Sequence, residues 1–317
     1  MIDVCICTHR ADKKILARVL TALSEQTLPR RDYQIFIIDN ANEPPLHLED
    51  FPNVTKIVRE PKLGVAHARV RAFSESTADA VVFVDDDNVL AHDFLENAAR
   101  ILKDHPEVGC FSGKILIPAS LAVPAWIIPL LGSLAVRDLG EVAVIDWFRG
   151  DWAPWVPAAT ASMVLRRAVA DTFLRIHATR REFSDFGRKG RYNLMSGEDF
   201  LIALSAADAG FKCAYFPKLV MSHYIRPERL TVQHMARLML SLGVTDIKRD
   251  RYLEKKPTPF SHSELRYRLL ALDFKDKDVR ARFCMWLYQM VYVPGTAYRL
   301  LKTGQTIRAK KDVHASR

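Results

Sequence analysis

The first 90 residues alternate between short apolar runs and longer stretches with apolar residues at helical spacing. The strand-like runs are IDVCICTHR, YQIFIIDNAN, NVTKIVRE and DAVVFVDDDN, and the helix-like stretches between them are KKILARVLTALSEQ and GVAHARVRAFSEST. Strands that are apolar on both faces and alternate with helices form parallel sheets covered on both sides. The pattern therefore predicts an α/β fold with a doubly wound, mainly parallel sheet.

Positive charge is concentrated toward the C-terminus. Residues 226–317 contain 20 Lys and Arg against 9 Asp and Glu, whereas residues 1–225 contain 26 against 28. Because amphipathic stretches such as ERLTVQHMARLMLSLG lie in this part, we expect a helical, basic C-terminal extension. A basic region of this kind meets polyanions, either nucleic acid or the anionic cytoplasmic leaflet of a membrane.

The cysteines indicate a reducing compartment. There are five, an odd number, and they show no metal-ligand pairing. No charged segment precedes an apolar run at the N-terminus, so we expect no secretion signal. The predicted location is cytoplasmic.

Three adjacent acids, Asp85, Asp86 and Asp87, follow the fourth predicted strand. Neighbouring carboxylates repel one another unless solvent, a helix N-terminus or a cation compensates them. Ligands of open α/β sheets bind outside the carboxyl ends of the strands, so the triplet predicts a divalent cation that holds phosphate. The alternative is a solvated acidic turn that caps a helix beginning near His92.

The first two predicted strands end at Thr8 and Asp39, which parallel pairing would bring to the same edge as the triplet. Asp39 could accept a hydrogen bond from the imide N–H of a uracil ring, or it could cap a turn. Neither a dinucleotide-binding G-x-G-x-x-G nor a P-loop follows any strand. Phosphate must therefore be held in another way.

These segments, in this order, resemble the inverting glycosyltransferases of family 2, which have the GT-A nucleotide-sugar fold. The matching pieces are VCICTHRADKKILARVLTALSEQT, IIDNAN, KLGVAHARVRAF, VFVDDDN and LMSGEDFLIALSAADAGFKCAYFPKLVMSHYI. The resemblance implies a GT-A catalytic domain over residues 1–225, with a nucleotide-sugar-binding half at 1–115 and an acceptor and base half at 137–225. Residues 226–317 would be the helical basic region.

The resemblance also implies residue roles for donor binding. Asp87 would bind Mg²⁺ or Mn²⁺, which bridges the donor diphosphate. Val70 stands where the family often has Asn after the Arg of an A-R-N stretch. The nucleotide-binding residues would be Thr8, His9, Arg10, Asp39, Arg69, Asp85 and Asp86.

The segment SGED implies the catalytic pair. By resemblance Asp199 would be the catalytic base, with Glu198 orienting the acceptor, although both acids could instead complement a helix N-terminus. His223 follows a predicted strand and is interpreted as a second metal ligand, with a packing role as the alternative.

Acceptor binding is predicted for three further residues. The aromatic faces of Trp152 and Trp155 suit stacking on a sugar or lipid, or a place in the core. Arg188 lies in a basic loop that either contacts an anionic acceptor or is simply solvated.

Two uncharged runs raise the question of a membrane. Residues 115–136 have no charge but contain three prolines, so we expect a partly buried apolar loop that contacts the bilayer interface or a lipid acceptor. Residues 283–298, FCMWLYQMVYVPGTAY, have basic flanks and predict a helix at an anionic membrane surface. The alternative is a helix packed on the catalytic domain.

The predicted function is metal-dependent inverting transfer of a sugar from a nucleotide diphosphate sugar, with UDP favoured. The acceptor would be lipid-linked, a glycolipid or a polysaccharide of the cell envelope, reached from the inner face of the cytoplasmic membrane. A nucleotidyltransferase is disfavoured because CTHRADKK, after the first strand, lacks glycine. A nucleic-acid-binding protein is the other alternative, but no recognised motif supports it, and no nucleic-acid partner is expected.

Overall fold

The computed structural model describes residues 1–10, 12–150, 160–180, 183, 186–190, 193–254 and 277–302. Within these ranges there are nine strands and seven α-helices. The strands are β1 (Ile2–Thr8), β2 (Tyr33–Asn40), β3 (Lys56–Glu60), β4 (Ala80–Asp85), β5 (Asn88–Leu90), β6 (Val108–Leu116), β7 (Val144–Asp146), β8 (Val164–Arg166) and β9 (Lys212–His223). The helices are α1 (Lys13–Ser24), α2 (Val65–Glu75), α3 (Phe94–Asp104), α4 (Arg167–Ile176), α5 (Glu198–Asp208), α6 (Val232–Tyr252) and α7 (Val279–Lys302).

The strands form one sheet in the order β3-β2-β1-β4-β8-β6-β9-β5, and β7 also pairs with β9. The long pairings, β1 with β2 and β4, β2 with β3, and β6 with β9, are all parallel. Antiparallel pairings involve the short strands β5, β7 and β8. The predicted α/β class with a mainly parallel sheet is confirmed.

The two faces of β4 explain the double winding. Val82 and Val84 belong to the same buried cluster as Leu16 of α1 and Phe94 of α3. On the alternate positions, Phe83 packs edge-on against Phe73 of α2 at 5.0 Å between ring centroids. Because side chains alternate along a strand, an apolar run places helices on both faces of the sheet.

The register of the central strands fixes where their ends lie. Thr8 of β1 is opposite Asp39 of β2, and Cys7 is opposite Asp85 of β4. The expected convergence of these three strand ends at one edge is therefore confirmed.

The chain divides into two compact units, Met1–Ala122 with Leu131–Arg226, and Val123–Leu130 with Pro227–Arg317. The sheet lies in the first unit. In the second, α6 packs against α7, where Gly243 lies close to the carbonyl of Tyr288 and the side chain of Val291. The Tyr288 hydroxyl also donates to Asp246 Oδ2 at 2.7 Å. The domain boundary after residue 225 stays a prediction.

The two uncharged runs differ in structure. After β6, the first continues into 3-10 turns over Ala125–Leu134, and the second lies in α7. Among the described residues, no helix has the length and apolar character needed to cross a bilayer.

Candidate active site

The acidic triplet forms the turn between β4 and β5. Thr8 Oγ1 donates to Asp86 Oδ2 at 2.6 Å, which ties the turn to the end of β1. The N-cap of α3 is Asp93, so the triplet does not cap that helix as the alternative interpretation supposed. The turn instead presents its carboxylates at the edge where β1, β2 and β4 end.

Asp39 is buried and surrounded by donors from its own loop. Its Oδ1 accepts from the backbone and side-chain nitrogens of Asn42 at 3.1 and 2.6 Å. Its Oδ2 accepts from the Leu46 backbone at 3.1 Å and from Arg59 Nη1 at 2.8 Å. Burial opposes the charge, but the hydrogen bonds from Arg59 and Asn42 hold the pKa of Asp39 below its usual range. These contacts are those of a turn cap, and its predicted nucleobase contact stays a prediction.

His9 and Arg10 lie beside this loop. His9 Nδ1 is 2.8 Å from the carbonyl oxygen of Asn40, and the backbone N–H of Arg10 donates to Asn42 Oδ1 at 2.6 Å. The Asn40 side chain donates to the Lys62 carbonyl at 2.8 Å and accepts from Gly64 N at 2.9 Å. The two asparagines, which the sequence analysis did not single out, therefore hold the loops after β1, β2 and β3 together. Their signal was the turn-forming NAN that begins at the last residue of β2.

Arg69 joins the two acidic segments of the site. It is only 5% exposed, and its Nη1 forms an ion pair with Glu198 Oε1 at the start of α5. Its Nη2 lies 3.8 Å from Asp85 Oδ1 at the end of β4. Burial disfavours its charge, yet Glu198, Asp85 and Asp199 raise the pKa of Arg69 above its ordinary value. The guanidinium thus stays charged between three carboxylates.

The catalytic pair predicted from SGED stands at the first turn of α5. Gly197 precedes it with φ 109°, a left-handed conformation that suits glycine. Asp199 Oδ1 accepts from the Phe200 backbone at 2.8 Å. Glu198 is buried, and its Oε2 accepts no hydrogen bond from the described residues.

Several carboxyls of the site have raised pKa values. Burial raises the pKa of Asp85 although the charge of Arg69 opposes it. Burial and the neighbouring Asp87 raise the pKa of Asp86 to about 7, and burial and Glu198 raise the pKa of Asp199 to about 7. Crowded, desolvated carboxylates of this kind are typical of functional sites.

The predicted metal ligands meet through the pairing of β5 with β9. Asn88 is opposite His223 in this antiparallel pair, and His223 Nε2 lies 3.5 Å from Asp87 Oδ2. Nowhere in the described part of the chain is a group of three or more His, Cys, Asp and Glu side chains arranged to hold a metal ion. One carboxylate and one imidazole nevertheless fit a cation that takes its other ligands from substrate phosphates and water, as Mg²⁺ usually does.

The predicted acceptor residues are only partly visible. Trp152 and Trp155 lie outside the described residues. The main-chain carbonyl of Arg188 accepts from Val65 N at 3.0 Å. The charge of Arg188 opposes the burial that raises the pKa of both Asp85 and Asp199, so this residue belongs to the electrostatic environment of the site.

The site defines an α/β enzyme with carboxylates at strand ends that face a second acidic pair at a helix start. The family model of glycosyl transferase family 2 matches residues 3–139, and that of glycosyl transferase family group 2 matches residues 80–252. The chain belongs to the family 2 glycosyltransferases. The GT-A fold expected from the resemblance is confirmed.

Individual proteins show more distant similarity. An N-acetylglucosaminyltransferase of Rhizobium meliloti (strain 1021) is 25% identical over 234 residues, which make up 70% of this chain and 50% of that protein. The chain thus spans half the length of this curated relative.

Two solved structures are also similar. S. aureus TarS is 14% identical, with 96% of this chain and 55% of that chain covered and a TM-score of 0.47. Mannosyltransferase PcManGT from Pyrobaculum calidifontis, in complex with GDP-Man and Mn²⁺, is 17% identical, with coverages of 96% and 74% and a TM-score of 0.48.

Proposed function

We propose that this glycosyltransferase is metal-dependent and inverting, and that it moves a sugar from a UDP-sugar to a glycan or lipid-linked acceptor of the cell envelope. The observation that carries the proposal is the placement of Arg69 between Glu198 and Asp85. This contact brings the carboxylates at the end of β4 and those at the start of α5 into one site. Donor and acceptor chemistry would therefore share a common electrostatic environment.

Asp199 is the proposed base. It would take the proton of an acceptor hydroxyl as that oxygen bonds to the anomeric carbon, while the bond between this carbon and the diphosphate oxygen breaks. The electron pair of that bond leaves with the nucleoside diphosphate. A base works best with a pKa near the working pH, and the pKa of Asp199 is raised to about 7.

Glu198 is proposed to orient the acceptor. Arg69 engages its Oε1, and its buried Oε2 accepts no hydrogen bond from the residues that the structure describes. Because a buried carboxylate oxygen normally has a donor, an acceptor hydroxyl is the partner that we assign to it.

Asp87 and His223 are the proposed ligands of a Mn²⁺ or Mg²⁺ ion. When bound, the cation supplies Lewis-acid stabilisation to the departing diphosphate. Asp86 stays tied to Thr8 by its hydrogen bond, which would hold the turn in place beside the ligands.

The sugar and the acceptor are the least constrained parts of the proposal. N-acetylglucosamine is the first sugar to test, because the Rhizobium relative is named for its transfer. The net positive charge of residues 226–317 supports work at the inner face of the cytoplasmic membrane, where the lipids are anionic.

Calorimetric titration with UDP tests the nucleotide and metal part of the proposal. We expect micromolar binding in Mn²⁺, loss of binding in EDTA, and at least about a tenfold weaker affinity for Asp87→Ala. Asp93→Ala is the matched control, since Asp93 follows shortly after β5 and its side chain makes no cap hydrogen bond.

Two results would count against this assignment. Binding that is unchanged by EDTA and by Asp87→Ala would mean that the triplet holds no cation. If GDP or dTDP bound in place of UDP, the base specificity would be wrong while the metal site stood.

A further inference from the structure

One face of α7 carries exposed apolar side chains in a narrow row. Val279, Phe283, Trp286 and Met290 follow one another at spacings of four, three and four residues, which places them on one side of a helix. They are between 38% and 75% exposed. We call these four residues the α7 stripe.

The opposite side of α7 is already used for packing within the second unit. Ala281 and Cys284 are buried, and Tyr288 reaches Asp246 of α6. The α7 stripe is thus the exposed face of a helix whose opposite face is already packed within the second unit. The rings of Phe283 and Trp286 stack at 6.3 Å between centroids, so they form one aromatic patch in the middle of the stripe.

A cavity of about 470 Å³ lies in the same unit, at the beginning of α7. Its apolar wall includes Pro124, Trp126, Ile128 and Pro129, and its polar side consists of Lys277, Asp278 and Arg280. Ile128 is 58% exposed, and the Arg280 guanidinium lies over the Trp126 ring at 5.4 Å. Apolar surface beside cationic groups suits the phosphate and upper acyl chains of a phospholipid.

The charges around the α7 stripe are predominantly positive. From Lys277 to Lys302 there are five Lys and Arg and one acid, Asp278. Asp278 pairs with Arg280 at 2.8 Å, while Lys277 and Arg282 are exposed on either side of the start of the stripe. This charge complements an anionic bilayer. A symmetric pair of copies would instead bring the same cations together.

We propose that the α7 stripe, with the cavity at its N-terminal end, is a docking surface for an anionic phospholipid membrane. The aromatic rings enter the headgroup region, and Lys277 and Arg282 contact lipid phosphates. The inference extends the proposed function, because a lipid-linked acceptor would be presented at such a surface.

Vesicle co-sedimentation of the full chain tests the proposal. We expect about tenfold more binding to phosphatidylcholine vesicles with about 30% phosphatidylglycerol than to pure phosphatidylcholine. The variant Phe283→Ala with Trp286→Ala should lower the binding at least about tenfold. Tyr298→Ala is the matched control, since Tyr298 is an exposed aromatic residue on the same helix but off the stripe, and it should change binding less than about twofold.

A charge variant makes the test independent of any effect on packing. Lys277→Gln with Arg282→Gln should weaken binding to the anionic vesicles about tenfold at low salt and have little effect in high salt. The proposal is overturned if wild type binds neither vesicle or both equally, or if the aromatic variant binds as wild type does. It is also overturned if light scattering without lipid finds that wild type is a dimer and the aromatic variant a monomer, because the surface would then join two copies.

The docking surface and the proposed function fail separately. Donor hydrolysis without vesicles should be the same for wild type and the aromatic variant, and Asp199→Asn should bind vesicles as wild type does. Vesicle binding without donor hydrolysis would contradict the catalytic proposal alone, and hydrolysis without vesicle binding would contradict the docking surface alone.

Discussion

Two acidic regions of the first unit, the loop after β2 and the start of α5, shift the pKa of a carboxyl group in opposite directions. Asp39 accepts four hydrogen bonds from its surroundings, one of them from Arg59, and its pKa is lowered. Asp199 accepts one from the adjacent Phe200 backbone, and its pKa is raised to about 7. The difference teaches that donors, rather than burial alone, decide whether an acid serves the fold or is available for chemistry.

The largest expected effect is on catalysis. Asp199→Asn removes the proposed base but keeps the shape of the side chain, so we expect donor hydrolysis to fall about 10³-fold. Release of UDP from a UDP-sugar measures it. UDP affinity should stay within about threefold of wild type, since the base does not hold the nucleotide.

Asp208→Asn, at the other end of α5, is the control and should retain activity. Undiminished hydrolysis by D199N would mean that another residue is the base. Asp199 would then no longer contrast with Asp39 as an acid available for chemistry.

The next effect concerns the ion pair that links the two ends of the site. Arg69→Met leaves Glu198 buried without its counter-charge, so the free energy of unfolding should fall by about 3–5 kcal/mol. Urea denaturation measures this change. Adding Glu198→Gln should restore much of the loss, because the uncompensated charge is then gone.

Arg71→Met serves as the control for Arg69→Met. Arg71 is on the same helix and pairs with Glu75 at the surface, so its loss should cost less than about 1 kcal/mol. Equal costs for the two variants would mean that the buried pair has no special place in the site.

A smaller effect is expected at Asp39. Asp39→Asn weakens the charge-assisted bond from Arg59 and should lower the free energy of unfolding by about 2 kcal/mol. Thermal unfolding and UDP titration, measured together, separate its two possible roles. A loss of UDP affinity at unchanged stability would identify Asp39 as a nucleobase ligand, so Asp39 would no longer be an acid that serves only the fold.

The smallest expected effect is the pH dependence of stability. Between the ordinary pKa of an aspartate and about 7, folded Asp199 keeps a proton that the unfolded chain has released, so its contribution to stability declines as pH rises through this window. Asp39, with a lowered pKa, contributes stability above its ordinary pKa that is lost as pH falls through the lowered value. When the pH is raised from 5 to 8, the free energy of unfolding of Asp199→Asn should therefore increase relative to that of wild type by about 1 kcal/mol or more.

Urea denaturation at both pH values checks the stability difference. Donor hydrolysis by wild type should rise with pH through about 7 as Asp199 loses its proton. A flat profile would mean that Asp199 is already ionised in the folded enzyme.

Local sequence patterns predicted the parts of the fold that depend on local burial. The apolar runs of β1, β2 and β4 and the helical spacing of α1 and α2 follow from which faces are covered, and parallel pairing was enough to bring Thr8, Asp39 and Asp85 to one edge. The SGED segment also stands at the start of α5, as the sequence indicated.

Contacts between distant segments could not be obtained in this way. The three-residue β8 between β4 and β6 is too short to show the pattern of apolar residues that marks a strand. The pairing of β5 with β9 depends on tertiary packing. The ion pair of Arg69 with Glu198 was missed for the same reason. The pair of Arg59 with Asp39 left a signal, because the two residues are directly opposite in neighbouring parallel strands.

The pairing of β9 with both β5 and β6 has a consequence for synthesis on the ribosome. Asp87 is translated long before His223, and Glu198 is translated 129 residues after Arg69. A nascent chain that ends before β9 has the strand ends and the proposed base, Asp199, but lacks His223, the proposed second metal ligand. If these residues have the proposed roles, we expect sugar transfer to begin only after the sheet has received its last strand.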